Sequence, residues 1–342
     1  MAEEEEEAPG IPPRENTDLV GHENAEQQLA RSFRSGRMHH AWLLTGPPGI
    51  GMATLAFRLT RWIFAGRAKS GATSASLHVE PKHPVFRMVA SGGHPDLRVL
   101  KREINEKTGK MRTEISVDQA RDAIHFLQLT PALGGWRIVI VDPVDDLSTA
   151  AANSLLKALE EPPARGLFLL VNHAISRALP TIRSRCQRLV MQPLPGASVE
   201  ALAAKLLPDL PPAELTELAR LSEGSPGRAL AFAAAGGLDL LHEMQSVLAK
   251  LPQLDGAALE RLTDKIARAG EEAVAALRDL LLWWLAERVK DGAGAQAAGL
   301  DRWARLWENT ARLFERAEAA SLDRKQALLE IFYDIQSTAR AA

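Results

Sequence analysis

Residues 42–57 read WLLTGPPGIGMATLAF, an apolar run, a glycine-rich turn and then a helical pattern beginning near Gly51. A strand that feeds a helix through such a turn is the opening of a parallel α/β unit, and it constrains the fold more than any other segment here. It also has the layout of a phosphate-binding loop. In the pattern G-x-x-x-x-G-K-[ST], the glycines let backbone amides cradle phosphate at a helix N-terminus, the Lys reaches the β/γ-phosphates, and the hydroxyl binds Mg²⁺. Gly46 and Gly51 match, with Gly49 between them, but Met52 stands at the Lys position and Ala53 at the hydroxyl position. Thr54 does not restore the hydroxyl, because one step along a helix turns a side chain by about 100°. The loop keeps the scaffold and lacks its polar groups; a plain strand-turn-helix is the other reading of the same residues.

The surroundings extend the α/β pattern. Short apolar runs at Trp42–Leu44, Leu97–Leu100, Ile138–Val141 and Leu167–Val171 are separated by helix-sized intervals, which predicts a parallel sheet. Ile138–Val141 is continuously apolar rather than alternating, as a strand covered on both faces must be, and is placed centrally. Beyond Pro193 and Pro195 the chain turns Ala- and Leu-rich with helical spacing. Breaks at Pro208–Pro212, Gly236-Gly237 and Gly292–Gly294 divide this part into a short helical module and a longer bundle. In the bundle, Leu277, Leu280, Leu281 and Trp284, then Trp303, Leu306 and Leu313, then Leu328, Leu329 and Phe332 form stripes for a bundle core or a partner interface. The expected parts are residues 1–16 as a disordered acidic tail, 17–195 as the α/β domain, 196–236 as a helical lid and 237–342 as a helical bundle.

Composition excludes several classes. At 342 residues, with 46% hydrophobic and 25% charged, the chain has the make-up of a globular protein of two to three domains at ~150 residues each. Outside the run Glu3–Glu7, 41 basic residues face 38 acidic ones, so no polyanion-coating surface is implied. A single cysteine, Cys186, rules out an internal disulfide and any cysteine-based zinc site. His78, His83 and His94 lie in one window without thiolates and read as loop histidines. No apolar stretch approaches the ~20 residues of a membrane span, and the acidic start lacks the layout of a secretory signal. A soluble, cytoplasmic protein is the expectation.

The segment 137–163 places Asp142 directly after the third apolar run, where a magnesium-holding acid belongs, but Pro143 follows where a hydrolytic base would stand. Asp145 and Asp146 read as acids ahead of the next helix, with Ser148 as its N-cap and Pro162-Pro163 as its stop. Asn172, at the end of the fourth run, sits where a γ-phosphate sensor would reach; a turn-forming Asn is the alternative.

Three separated stretches, 38–56 (MHHAWLLTGPPGIGMATLA), 151–163 (AANSLLKALEEPP) and 181–189 (TIRSRCQRL), together resemble the bacterial DNA polymerase III clamp-loader subunits of the AAA+ superfamily, in order and spacing across residues 17–230. Leu322–Gln326 is similar to part of the family's collar. The resemblance implies a RecA-like AAA+ domain with a parallel sheet flanked by helices, a small helical lid, and an all-α collar that joins a hetero-pentameric ring with the ATP-binding gamma/tau subunits and delta. It implies action on the sliding clamp and primer-template DNA within a nucleotidyltransferase complex. It also implies that Ser184-Arg185-Cys186 is an arginine-finger element aimed at ATP held by the neighbouring subunit, and that Arg228 in Gly224–Arg228 occupies a second sensor position. Arg suits a finger because its planar fork stays charged. The cluster Arg183, Arg185 and Arg188 is otherwise a basic surface run, and Cys186 a packing residue. Many relatives carry a zinc-binding cysteine cluster after the loop helix; residues 62–95 have no cysteine, so no zinc is expected, and with Met52 and Ala53 in the loop no nucleotide of its own is expected.

Two other readings compete. One is an active AAA+ ATPase or nucleotide-binding protein with a degenerate loop, opposed by Met52, Ala53 and Pro143. The other is a DNA-binding module built on the basic stretch Arg98–Arg112, opposed by the near-neutral charge and by the lack of interleaved aromatics to stack bases, and that stretch reads as a solvated hairpin instead.

Overall fold

The structure, a computed structural model, describes residues 10–66, 76–105, 108–109, 111–173, 179–294, 299–320 and 323–341. The chain packs as two compact units: one runs to Pro208 and takes in Ser222–Arg228, and the other comprises Asp209–Leu221 and the chain from Ala229 onward.

The first unit alternates helices and strands: α1 (Glu23–Arg34), β1 (Ala41–Thr45), α2 (Met52–Phe64), α3 (Pro84–Ala90), β2 (Leu97–Leu100), α4 (Val117–Gln128), β3 (Arg137–Val141), α5 (Thr149–Glu160), β4 (Gly166–Asn172), α6 (Pro180–Arg183), β5 (Gln187–Val190) and α7 (Gly196–Leu206). The five strands form one parallel sheet in the order β2-β3-β4-β1-β5. Successive residues feed two cores. Trp42, Leu44, Ile138, Ile140, Leu169 and Val171 pack with α1, α2 and α3, whereas Leu43, Val139, Val141, Phe168 and Leu170 pack with α4 and α5. Burial on both faces is why β1, β3 and β4 are apolar apart from Thr45, Arg137 and Asn172 at their ends.

Two sheet expectations are corrected. The run Ile138–Val141 lies second from one edge, and the middle strand is β4, because continuous apolarity reports cover on both faces and not position in the sheet. The edge strand β5, which overlaps the 181–189 stretch, was not expected as a strand: only Leu189 of its four residues is buried, so it carries no apolar run.

Helix ends follow local chemistry. Ser116 and Gln119 form a reciprocal capping box on α4, and Ser148 caps α5 through Ala151 N at 3.2 Å, with Pro162-Pro163 following its end. The N-terminal segment departs from expectation. Residues 1–9 lie outside the described residues, but 12–17 are held in place rather than disordered, since two buried arginines of α2 bind their carbonyls. Arg61 donates to Arg14 O at 2.7 Å and Asn16 O at 2.6 Å; Arg58 donates to Thr17 O and, at 2.5 Å, to the Glu26 carboxylate.

The second unit is helical: α8 (Pro212–Leu221), most of α9 (Pro226–Ala234), α10 (Gly237–Leu248), α11 (Gly256–Ala269), α12 (Glu271–Gly294), α13 (Leu300–Ala320) and α14 (Arg324–Ala341). Its core contains Leu277, Leu280, Leu281, Trp303, Leu306, Leu313, Leu328 and Phe332 as the stripes predict. Trp284 and Leu329 are half-buried instead. Trp283 and Ile331 take the interior places, and Trp284 meets Trp303 edge-on at 5.9 Å under the guanidinium of Arg288. Leu322 of the collar stretch is outside the described residues.

Candidate functional site

The parallel sheet brings the expected positions to one edge. Thr45 of β1 is in register with Asn172 of β4, and Val141 of β3 with Leu170, so the loop at Gly46, the acid Asp142 and Asn172 all lie at the carboxyl ends of adjacent strands. Gly46 N donates to Asn172 O at 3.2 Å, which fastens the start of the loop to the end of β4. Asn172 is fully buried. A Cβ on Gly46 would stand 2.7 Å from Met191 O, so the close approach of the backbone requires glycine there.

The loop's own carbonyls are held by this chain. Ser225 Oγ donates to Pro48 O at 2.8 Å, Gly227 N donates to Gly49 O at 2.9 Å, and the buried His22 binds Ile50 O through Nε2 at 2.8 Å. Gly49 has φ +78°, and a Cβ there would fall 2.5 Å from Ser225 Oγ. Met52, the first residue of α2, is 2% exposed and packs in the core that holds Leu44, Ile50, Leu55 and Leu189. Ala53 packs against the same core. Burial pushes the His22 imidazole below its ordinary range, which keeps it neutral at pH 7.

Asp142 is half-buried at the end of β3, and desolvation, first among its influences, raises its carboxyl above the ordinary carboxylate range; nearby Asp146 adds to this while His173 and Lys101 oppose it. The adjacent acids have other duties than polarising α5. Asp145 accepts from His173 N at 2.7 Å, and Asp146 pairs with Arg102 at 2.9 Å, leaving the cap of α5 to Ser148. Asp145 thereby ties the segment after β3 to the segment after β4.

Ser184, Arg185 and Cys186 lie between α6 and β5, at the amino end of β5 and so at the end of the parallel sheet opposite the loop. The Arg185 guanidinium is spread over Glu160 at the end of α5: Nε and Nη2 donate to its Oε1 at 2.9 and 2.5 Å, while Nη1 donates to Thr181 O at 2.9 Å and Ser184 Oγ at 3.1 Å. A third of the Arg185 side chain and half of Glu160 remain exposed. Arg183 and Arg188 are exposed alongside. Cys186 packs against the core beneath α5, and burial pushes its thiol up to about 12, so it is no nucleophile at neutral pH.

Arg228 pairs with Glu223 at 2.8 Å, and its backbone N–H meets Ser225 Oγ at 3.2 Å. The stretch Arg98–Arg112 is a hairpin only in its second part: Arg98–Leu100 belong to β2 of the parallel sheet, while among the described residues Ile104 is bridged antiparallel to Met111 and Arg112 N is bonded to Glu103 O. The window after α2 is outside the described residues at 67–75. Within the remainder, His83 caps α3 and His94 stacks on Phe64 at 3.9 Å. Among the described residues no group of three or more His, Cys, Asp or Glu is placed to hold a metal ion, and no helix is long and apolar enough to cross a membrane.

Sequence reasoning did not single out His22, Ser225, Gly227 or Glu160. Glu160 stood in a quoted motif, read only as a helix end. The bonds of the other three span 28 to 178 residues and leave no local pattern, although Ser225-Pro226-Gly227 beside Arg228 was available as a signal.

A glycine-rich strand-to-helix loop, an acid and a buried Asn at neighbouring strand ends of a five-stranded parallel sheet, followed by helices, define a RecA-like domain of the AAA+ class. A gamma subunit-related DNA polymerase III protein from Thermotoga maritima shares the fold, with a TM-score of 0.51 and 18% identity over 92% of this chain and 99% of that one. The profile of the family described as "DNA polymerase III, delta subunit" matches residues 21–195. DNA polymerase III subunit delta' of Pseudomonas aeruginosa is 42% identical over 205 residues, 58% of each chain, and that of Yersinia pestis is 32% identical over 69% of this chain and 70% of the relative. The chain thus belongs to the DNA polymerase III delta' family of clamp-loader subunits, while spanning 58% of the length of the P. aeruginosa relative.

Proposed function

We propose that this chain is an ATPase-silent member of a clamp-loader ring that donates Arg185 to ATP bound by an adjacent subunit. The observation that carries the silent half is Met52: the residue at the Lys position is buried in the domain core, so the loop has no cation to place beside β/γ-phosphates. Ala53 offers no magnesium hydroxyl, Pro143 no base, and Asp142 is desolvated toward its neutral form. These residues do not fit a hydrolytic magnesium-ATP site. The donating half is supported by Arg185, a partly exposed guanidinium at the sheet edge within the Ser184-Arg185-Cys186 element. A finger stabilises charge that develops on the transferred phosphoryl group and adds nothing to a ground state bound equally well.

In this reading the ring contains gamma/tau and delta subunits in a hetero-pentamer and delivers the sliding clamp to primer-template DNA in the cytoplasm. The chain itself needs neither zinc nor nucleotide. Residues 17–195 serve as the AAA+ domain, 196–236 as the lid and 237–342 as the collar.

The test is ATP hydrolysis by the purified chain alone and by the clamp-loader complex rebuilt with wild-type or Arg185→Ala protein. Silence alone, with an Arg185-dependent rate in the complex, is the expected result. Turnover by the isolated chain overturns the silent assignment, and an unchanged rate with Arg185→Ala overturns the finger.

A further inference from the structure

Arg185 does not stand free. All three guanidinium nitrogens are engaged within this chain: Nε and Nη2 on a single oxygen of Glu160, Nη1 on Thr181 O and Ser184 Oγ. A phosphate takes an Arg best through two parallel N–H groups. With the Nε/Nη2 edge on a carboxylate and Nη1 on a carbonyl and a hydroxyl, neither edge of the fork is available to a second anion.

We propose that Glu160 is a positioning residue that parks Arg185, so that phosphate of a neighbouring subunit must displace its carboxylate before the finger engages. This inference rests on the finger reading above and adds the competitor. The competition is balanced, because both partners are partly exposed and the pair is held by one carboxylate oxygen. Exposed ion pairs are weak enough for a multiply charged phosphate to win. Thr181 O and Ser184 Oγ hold Nη1 independently of the carboxylate, so removing Glu160 frees the Nε/Nη2 edge while the arginine stays tethered near its place. Glu160 is also the last residue of α5, where a negative charge opposes the helix dipole, so its loss does not threaten the helix.

The experiment uses the rebuilt complex carrying Glu160→Ala, Glu160→Gln, Arg185→Ala, or Glu160→Ala with Arg185→Ala. Steady-state hydrolysis is measured across ATP concentrations, with thermal melting of each variant chain as a check on folding. Glu160→Ala is expected to raise kcat/KM for ATP about two- to fivefold, the range set by an exposed pair. Glu160→Gln keeps an accepting oxygen without the charge and should give a smaller rise. In the double variant the gain should vanish and the rate should match that of Arg185→Ala alone, which a merely structural role for Glu160 would not produce. A fall or no change with Glu160→Ala, while Arg185→Ala still slows the complex, overturns the parking role and leaves the finger standing. No change with Arg185→Ala removes the finger itself.

Discussion

The glycine loop at 46–53 and the segment 184–186 are built in opposite ways. Around the loop, the chain's own groups take every carbonyl from Pro48 to Ile50, and an apolar side chain at the decisive position joins the core. Around Arg185, polar groups stay at the surface and the guanidinium is held by a partly exposed salt bridge to Glu160. The contrast shows that a glycine-rich loop can be held in place by its own domain, whatever it binds. Its glycines are required by the domain itself, Gly46 by Met191 O and Gly49 by its φ of +78° and the nearby backbone of Gly227 and Arg228.

The contrast can be broken most sharply at its surface end. Arg185→Ala should slow hydrolysis at the site it faces by a large factor, ~10³ or more where such fingers are established, and leave the melting of this chain nearly unchanged. At the buried end, Met52→Lys should create no ATPase and should destabilise the domain by about 3–5 kcal/mol, because an ammonium would enter an apolar core; a denaturant titration and an ATP assay read both. A stable, hydrolysing Met52→Lys would mean the loop is still a binding site. Gly227→Ala is the next test. Its Cβ would lie 2.8 Å from Gly49 Cα, backbone against backbone, and a loss of about 1–3 kcal/mol in chemical denaturation is expected, against nearly none for Gly256→Ala, which meets nothing within 4 Å.

The smallest effect is on pH. His22 has a folded-state value lowered by burial, so its contribution to stability is complete above the ordinary histidine range near 6.5 and is lost as pH falls through it. Melting curves between pH 7.5 and 5 should show declining stability. The buried His94 and the half-buried His40 act with the same sign, so His22→Gln should reduce the slope rather than abolish it. A slope unaffected by His22→Gln would detach the histidine from the loop.

Much of this was legible because it is local or periodic. Four strands announce themselves as apolar runs, and the loop, Asp142 and Asn172 reach one edge because parallel strands put all their carboxyl ends on the same side. What was not legible depends on contacts with no spacing. Strand β5 is assigned by its pairing with β1 and buries only Leu189. Ser225 and Gly227 act through backbone carbonyls far along the chain. The hold on residues 14–17 likewise runs from side chains to peptide oxygens, which any sequence supplies, and so a proline-containing stretch after an acidic run reads as a tail.

That hold has its own consequence. Arg58 and Arg61 are 6% and 1% exposed, and Arg61 is pushed down to only about 10 by burial and by Arg58 beside it, so it stays a cation at neutral pH inside the domain. Glu26 balances one of them. For the other, the carbonyls of Arg14 and Asn16 are the solvation shell, doing what water does for an ion in bulk. The segment before α1 is therefore less a leader to the domain than its internal water, and removing it would amount to drying an ion.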